Sequence, residues 1–281
     1  MLLGAHVSVQ GGLVNGPPHG VALGCDVIQL FTRNQRQWTH KPVDDDEAAA
    51  FRQAMKNSGL KGAMAHGSYL VNLASPKADV FEKSKKAFLE EAQRCHTLGI
   101  DRFVFHPGAH LDSSIADGRA KIAKALRTAL DATQGSRVRF LLETMAGQGT
   151  TIGNQPEDLG LIIEAAGGDA RLGVCIDTCH AYAAGFDIRT PSSYAAVMER
   201  FDDGFGLKRV GAFHLNDSKL ALGEKRDRHE IIGDGQIGLD GFGPLMRDRR
   251  FADVPMNLET PGEDEGYRLG LQRLRSLVKR K

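Results

Sequence analysis

Nine histidine and acidic residues stand at positions in this 281-residue sequence where metal-ion chemistry is expected. Most of them end a short apolar run or follow one closely. In Val174-Cys175-Ile176-Asp177 the run delivers a carboxylate, and His180 comes three residues later, where the predicted strand gives way to a loop. The full set is His66, His106, Glu143, Asp177, His180, His214, Asp227, His229 and Glu259. Imidazole and carboxylate ligands without thiolates suit zinc, with manganese or iron as competitors.

The number of candidate ligands indicates how many metal ions the site can hold. One tetrahedral zinc needs four protein or water ligands, so five imidazoles and four carboxylates are too many for one ion. If one or two carboxylates bridge, two or three ions are held, each with a position open for water or substrate. A single His or Glu at a strand end is more often a structural residue, but five of the ten histidines share this placement. The joint pattern favours a metal cluster.

The elements that must position these residues alternate regularly. Apolar runs of strand length occupy residues 2–7, 25–32, 62–66, 101–106, 138–143, 172–177, 210–214 and 254–259, and an amphipathic segment follows each run. Eight such pairs predict an α/β fold in which a parallel sheet closes into a single (β/α)8 barrel. Since active sites in that fold lie at the carboxyl ends of the strands, the nine residues should converge on one mouth.

Several local expectations follow from the same pattern. Pro17 and Pro18 are tolerable only in the first turn of the helix predicted over 11–24. A long polar loop is predicted over 216–236 and one helix over 239–249. The inner faces are expected to carry Ile115, Ile122, Leu126 and Leu130 in one helix, and Tyr267, Leu271, Leu274 and Val278 in the last. The basic end, residues 279–281, is predicted to be solvated.

Composition, charge and the absence of linker or membrane-spanning patterns limit the domain organisation and the expected compartment. No Ser/Pro-rich or charge-dense linker divides the chain, so residues 1–281 are predicted to form one domain. The formal net charge of +1 neither demands nor excludes a polyanionic partner, which would need a local basic patch. The sequence shows no signal-peptide pattern and no apolar run of membrane-spanning length, which predicts a soluble, cytoplasmic protein. Its four cysteines are expected to be reduced, with Cys175 packed in the core.

The sequence resembles the endonuclease IV family of apurinic/apyrimidinic-site endonucleases along its whole length. The stretches that carry the resemblance include Gly4-Ala5-His6-Val7-Ser8, the segments 31–38 and 66–73, Phe105-His106-Pro107-Gly108, the segment 142–149, Cys175-Ile176-Asp177-Thr178-Cys179-His180, the segment 214–219, Asp227-Arg228-His229 and Leu258-Glu259-Thr260. The resemblance implies a xylose-isomerase-like TIM barrel with three zinc ions, manganese being possible at one position.

The ligand groups implied by the family are all present. One ion is expected on His66, His106 and Glu143. A second is expected on Glu143, Asp177, His214 and Glu259, with Glu143 as the bridge, and the third on His180, Asp227 and His229. His6 is expected to support the ligands from behind. The implied reaction is hydrolysis of the phosphodiester 5′ to an abasic site in duplex DNA, with Glu143, Asp177 and Glu259 as the catalytic carboxylates.

Segment 33–38 and the residues near Asp227 are the expected DNA contacts. Composition alone leaves open whether 33–38 is a solvated loop with Trp38 folded back on the barrel. The resemblance implies that Arg36 and Gln37 penetrate the base stack, while Tyr69 and Asn72 shape the groove. Lys219, Lys225, Arg226 and Arg228 supply a local basic patch that suits phosphate contacts.

Two other classes of protein are alternatives. A sugar isomerase or epimerase on a similar barrel would hold one metal with a set like Glu143, Asp177, His214 and Glu259. A non-catalytic zinc-dependent DNA-binding protein would lack ligands or an open coordination position. The five additional ligands and segment 33–38 favour the nuclease. No coiled-coil pattern is visible, so a monomer is expected.

Overall fold

The computed structural model describes residues 1–279; Arg280, Lys281 and the side chain of Lys279 lie outside the described part, and with them the predicted basic end. The barrel strands are β1 Leu2–His6, β2 Val27–Leu30, β3 Ala63–His66, β4 Arg102–Phe105, β5 Arg139–Glu143, β6 Leu172–Asp177, β7 Val210–His214 and β10 Pro255–Leu258. The helices are α1 Gly16–Leu23, α2 Asp45–Ser58, α3 Ala78–Leu98, α4 Ile115–Ala132, α5 Pro156–Ala165, α6 Thr178–Ala183, α7 Pro191–Phe205, α8 Gly243–Arg247 and α9 Glu263–Lys279.

The eight barrel strands close on themselves. Their order is β1-β10-β7-β6-β5-β4-β3-β2, and every neighbouring pair is parallel. The first and last strands meet through Leu3 opposite Met256. The prediction of a (β/α)8 barrel is confirmed, and all eight strand carboxyl ends open on the same face.

A layer of small and apolar side chains fills the barrel below that face. Five buried residues on consecutive strands form it: Met64, Val104, Leu141, Cys175 and Ala212. Side chains two positions apart on a strand point the same way. Residues two positions later therefore point into the barrel one layer higher, and they are His66, His106, Glu143, Asp177 and His214. The fold thus stacks five of the nine candidate ligands directly on the core.

The helices begin and end where their local chemistry dictates. The Asp44 carboxylate accepts from the backbone N–H of Glu47 at 2.8 Å and caps α2. Gly99 ends α3 in the left-handed conformation, φ 75°. Helix α1 begins at Gly16, so Pro17 and Pro18 occupy its first turn, as expected.

Some predicted elements differ from the structure. His180 lies in the short helix α6 rather than in a loop. The polar loop contains an antiparallel hairpin, β8 Asp217–Ser218 with β9 His229–Glu230. Over 239–249 a 3₁₀ turn precedes α8 instead of one helix continuing, because Pro244 favours a helix start.

The prediction of the inner helix faces is also wrong at two residues. Ile115 and Val278 are exposed, at 38% and 46%. Ile115 opens α4, where the helix has not yet reached the core, and Leu277 takes the buried position in α9. Along residues 1–279, none of the helices combines the length and apolarity needed to cross a membrane.

Candidate metal centre

The structure brings the nine predicted ligands into overlapping groups at the barrel mouth. Within each group one nitrogen or oxygen per residue lies within 4.8 Å of the others. The first group is His66, His106 and Glu143; the second is Glu143, Asp177, His214 and Glu259; and the third is His180, Asp227 and His229. These are the three sets that the family resemblance implies, and their role as metal ligands stays a prediction.

Glu143 is the centre of the arrangement. It ends β5 and is fully buried. Its Oε2 lies 3.0 Å from Nε2 of His66 and 3.3 Å from Nε2 of His106. Its Oε1 lies 2.9 Å from Nδ1 of His214 and 3.3 Å from Nδ1 of His180. The two oxygens therefore face different sets of histidines, which is the geometry a bridging carboxylate needs.

The second group is held from behind by Gln29, a fully buried residue of β2. Its amide Nε2 donates to Oε1 of Glu259 at 2.6 Å, which leaves its Oε1 to accept from Nε2 of His214 at 2.8 Å. Because Nε2 of His214 is bonded to Gln29, its Nδ1 faces Glu143 and is the nitrogen left for a metal ion. His6 lies 3.1 Å from the same Glu259 oxygen. His6 thus supports a candidate ligand, as the sequence suggested.

The third group depends on helix α6. Asp177 ends β6 and caps α6, because its Oδ1 accepts from the backbone N–H of His180 at 2.8 Å. Its Oδ2 remains for the mouth and accepts from Asn216 at 2.7 Å. This cap fixes the spacing between Asp177 and His180. The Asp227 carboxylate lies 3.1 Å from both His180 and His229.

The protonation of the site follows from charge pairing in a buried setting. Burial raises the pKa of Glu143, but the nearby charges of His214 and His106 outweigh it and hold the pKa well below its usual range. Burial lowers the pKa of His229, yet its hydrogen bond with Asp227 and the charge of Asp177 raise it to about 9. Anionic carboxylates and strongly basic imidazoles are favourable metal ligands, because an ion can replace the bound protons.

The donor set fits divalent metal ions. Nε2 of His180 and Nε2 of His229 are buried and share the Asp227 carboxylate, which lies 3.1 Å from each. Such atoms are costly unless a cation meets them. Cys179 forms a further candidate group with Asp177 and His229, but burial raises the pKa of its thiol and of the Cys175 thiol to about 12, which favours the neutral thiol. Cys175 belongs to the barrel core, as predicted.

Tyr69, on the loop after β3, stands over the first group. Its ring is 59% exposed and its centroid lies 5.4 Å from that of His66 and 5.5 Å from that of His106. Asn72 lies in the same loop, but its amide bonds to the backbone of Ala109 and Ala74. It joins two loops of the mouth, and its contact with DNA stays a prediction.

Segment 33–38 divides into a buried and an exposed part. Arg36 and Gln37 are exposed, and Trp38 keeps 37% of its surface in solvent. Arg33 is buried, and its Nη2 lies 2.7 Å from Oε1 of Glu91. Arg33 is thus a structural cation rather than a surface one. A cavity of about 850 Å³ lies between this segment, His6 and the start of α9.

The basic patch lies beside the third group. Lys219, Lys225, Arg226 and Arg228 are all exposed on the segment between β8 and β9. The backbone carbonyl of Arg228 accepts from Lys219 N–H at 2.9 Å, which closes the segment into a hairpin. The patch and the candidate ligands Asp227 and His229 therefore share one short element.

Three supporting residues were missed by the sequence argument. Gln29 stood out only as the one polar residue in Val27-Ile28-Gln29-Leu30. Asn216 links two ligands by donating to Asp177 and accepting from the backbone N–H of Glu259. Asp217 is buried and accepts from the backbone N–H groups of five residues, which are Ser218, Gly233, Gly235, Ile237 and Gly238. Motif matching reached Asn216 and Asp217 without giving them a role.

Comparison with known proteins adds independent information. The family described as xylose isomerase-like TIM barrel matches residues 20–277. A probable endonuclease 4 from Chloroflexus aurantiacus is 46% identical over 277 residues, covering 98% of this chain and 97% of the relative. A probable endonuclease 4 from Geobacter sulfurreducens is 45% identical, covering 99% and 95%.

Solved structures agree with these relatives. Endonuclease IV from Thermus thermophilus superposes with a TM-score of 0.87 at 32% identity, and 99% of each chain is covered. A D-psicose 3-epimerase superposes with a TM-score of 0.69 at 17% identity. At that identity the epimerase shares the fold alone, since unrelated chemistries occur on this barrel.

Proposed function

The chain belongs to the endonuclease IV family, and from this we propose that it is a zinc-dependent DNA repair enzyme that hydrolyses the phosphodiester 5′ to abasic sites in duplex DNA. Cleavage there leaves a 3′-hydroxyl and a 5′-deoxyribose phosphate, ends suited to base excision repair. The observation that carries the proposal is the set of three ligand groups at one barrel mouth, two of which share Glu143. We further propose that residues 1–281 act as one monomeric domain in the cytoplasm.

Three zinc ions are the proposed cofactors, with manganese possible at one position. His66, His106 and Glu143 would hold the first, Glu143, Asp177, His214 and Glu259 the second, and His180, Asp227 and His229 the third. When bound, the ions lower the pKa of water and offset negative charge on the reacting phosphate.

The chain's own residues prepare the site for an in-line displacement. The catalytic carboxylates Glu143, Asp177 and Glu259 fix where positive charge gathers, since each ends a barrel strand or follows one by a single residue. Gln29 and Asn216 restrict the orientation of Glu259 and Asp177. A site organised in this way before the substrate arrives needs little rearrangement during the reaction. No nucleophilic side chain is required.

The substrate groove is proposed to run across the mouth. Arg36 and Gln37 enter the base stack at the lesion, and Tyr69 and Asn72 border the groove beside the first ligand group. Arg228 and its basic neighbours contact phosphates on the other side. An abasic nucleotide already lacks stacking and pairing, so moving it toward the ligands costs less than moving an intact one.

The single-metal epimerase alternative explains less of the site. It uses four ligands and leaves five candidate ligands without a role: His66, His106, His180, Asp227 and His229. Buried or half-buried histidines that face a shared carboxylate cost folding free energy if they have no function to serve. The relatives at 45–46% identity are described as probable endonuclease 4, whereas the epimerase likeness lies in the fold.

The deciding experiment is a gel assay on a duplex with one abasic-site analogue, combined with elemental analysis of the purified protein. We expect cleavage on the 5′ side, loss of cleavage after chelation, and close to three zinc ions per chain. An intact duplex of the same sequence is the control. Absence of cleavage together with one bound metal would overturn the nuclease and favour tests on ketose and aldose sugars.

A further inference from the structure

A buried charge network made of residues outside the candidate ligand set lies beneath segment 33–38. Its core is the pair Arg33 and Glu91, whose side chains are each 1% exposed. Glu91 projects from α3, and Nη2 of Arg33 lies 2.7 Å from its Oε1. Burying two charges costs folding free energy unless further hydrogen bonds satisfy them. The pair is therefore expected to have a specific role. The network comes close to the metal site at His66, whose charge acts on Glu91 and which precedes Ser68 by two residues.

On one side the network reaches the exposed tip of the segment. Nη1 of Arg33 donates to the backbone carbonyls of Gln37 and Trp38, at 3.3 and 3.4 Å. The backbone of Arg36 is held separately, since its N–H donates to Oδ1 of Asn34 at 2.9 Å. The guanidinium therefore sits under the turn that exposes Arg36 and Gln37.

On the other side the network reaches the loop that carries Tyr69. The Glu91 carboxylate accepts from the backbone N–H of Ser68, with the shorter distance 3.2 Å. The hydroxyl of Ser68 then donates to the carbonyl of Gln35 at 3.0 Å. One carboxylate on a rigid helix thus connects both loops. Tyr69 follows Ser68 directly, so the same bonds place its ring over His66.

A second arginine one turn along α3 holds the base of the segment. Nε of Arg94 donates to the carbonyl of Thr32 at 2.9 Å, and its Nη1 donates to the carbonyl of Lys41 at 2.7 Å. These bonds fix where the segment leaves β2 and where it returns toward α2. Arg94 sets the two ends, and the pair of Arg33 and Glu91 sets the tip. These bonds attach the tip and both ends of the segment to the body of the protein.

From this we propose that Glu91 and Arg33 are positioning residues for DNA recognition, holding Arg36, Gln37 and Tyr69 in the arrangement that penetrates the duplex at the lesion. The inference rests on the proposed function. The inference distinguishes two parts of the enzyme. The candidate metal ligands lie at strand ends, whereas the exposed tip of segment 33–38 is held through Glu91 of α3. A change in the network should therefore alter recognition of the lesion and leave hydrolysis intact.

The test compares Glu91→Gln with Glu90→Gln, its half-buried neighbour on the same helix, which pairs with Lys86. Both changes remove one negative charge, which by itself strengthens attraction to DNA. We expect Glu91→Gln alone to raise KM for the abasic duplex about 10-fold, from the loss of a charged hydrogen bond. The fluorescence rise of 2-aminopurine beside the abasic analogue should fall with it. Zinc content and hydrolysis of bis(p-nitrophenyl) phosphate should stay at the wild-type level.

Two results would overturn the inference. One is a Glu91→Gln enzyme with wild-type KM and wild-type 2-aminopurine response. The other is a parallel loss of zinc, small-diester hydrolysis and DNA cleavage, which would mean that the network supports the whole fold.

Ser68→Ala, which keeps the ion pair, is the second variant if Glu91→Gln does not fold. It should raise KM in the same direction by a smaller factor, and an unchanged KM would count against the inference. Failure of the wild-type protein to cleave abasic DNA would instead contradict the proposed function.

Discussion

At the scale of single residues, Glu143 differs from the other candidate ligands because it belongs to two groups at once. One oxygen faces His66 and His106, and the other faces His214 and His180. A bridging carboxylate sets the distance between the ions it joins, so its loss should affect two ions rather than one.

Glu143→Gln tests this role. We expect zinc content to fall from three ions per chain to about one and the cleavage rate to fall at least about 1000-fold, since an amide cannot bridge two cations. Elemental analysis and single-turnover cleavage measure the two effects. The matched control is Glu164→Gln at the exposed end of α5. Retention of all three ions by Glu143→Gln would show that the carboxylate is not a bridge.

Gln29 shows how a residue that binds no ion can govern one that does. It donates to Glu259 and accepts from His214, so it sets the tautomer of the histidine and the orientation of the carboxylate together. Sequence reasoning could find the ligands because their chemistry is visible in the residue type. It passed over Gln29 because a glutamine in a strand has no signature of its own.

Replacement of Gln29 by methionine should weaken the second ion. The side chain keeps its length, but His214 and Glu259 each lose a partner, and we expect zinc affinity at that position to fall about 10- to 100-fold. Competition with a chromogenic chelator measures the affinity. Gln53→Met on the exposed face of α2 serves as the control. Equal affinities in the two variants would exclude this role for Gln29.

At the scale of elements, the strands were predictable and the short connecting pieces were not. The apolar runs place His66, Glu143 and Asp177 at strand ends, since period and length alone define a buried parallel strand. Helix α6 has only six residues, which is too short for an amphipathic pattern to reveal. Its start depends instead on the Asp177 cap, a contact visible only once the chain is folded.

The loop of the third ligand group was also beyond prediction, because one buried carboxylate organises it. Asp217 accepts from four backbone N–H groups between Gly233 and Gly238, besides that of Ser218. This loop follows directly on β9, which begins with His229. The element is thus folded around an anion supplied by the chain itself.

Asp217→Asn should disrupt that loop. The new amide group would face backbone donors, and we expect a loss of about 3 kcal/mol or more in the free energy of unfolding, with about one zinc ion fewer per chain. Urea unfolding and elemental analysis measure these changes. Asp234→Asn, an exposed change in the same loop, is the control. A variant that keeps three ions would show that the loop does not position His229.

At the scale of the whole molecule, the structure concentrates chemistry on one face of a nearly neutral protein. The net charge is +1, so long-range attraction of the entire chain to DNA is weak. The sequence could predict which face carries the site, because the barrel rule fixes it at the strand carboxyl ends. It could not predict that Arg33 is buried, since burial of a loop cation depends on Glu91, which is distant in sequence.

This distribution makes the salt dependence of DNA binding a test of the local patch. Lys225 and Arg226 are exposed beside the third ligand group, whereas Lys61 and Arg137 lie just before β3 and β5, at the opposite end of the barrel. Each phosphate contact contributes about 0.9 to the slope of log affinity against log salt concentration. The double variant Lys225→Gln/Arg226→Gln should therefore lower that slope by about 2, with the rate of cleavage at saturating DNA unchanged. Fluorescence anisotropy of an abasic duplex, followed over a series of salt concentrations after chelation to prevent cleavage, measures the slope.

The double variant Lys61→Gln/Arg137→Gln removes the same charge and should leave the slope at its wild-type value. If both variants lower it equally, DNA responds to the net charge of the molecule, and the basic patch makes no direct phosphate contact.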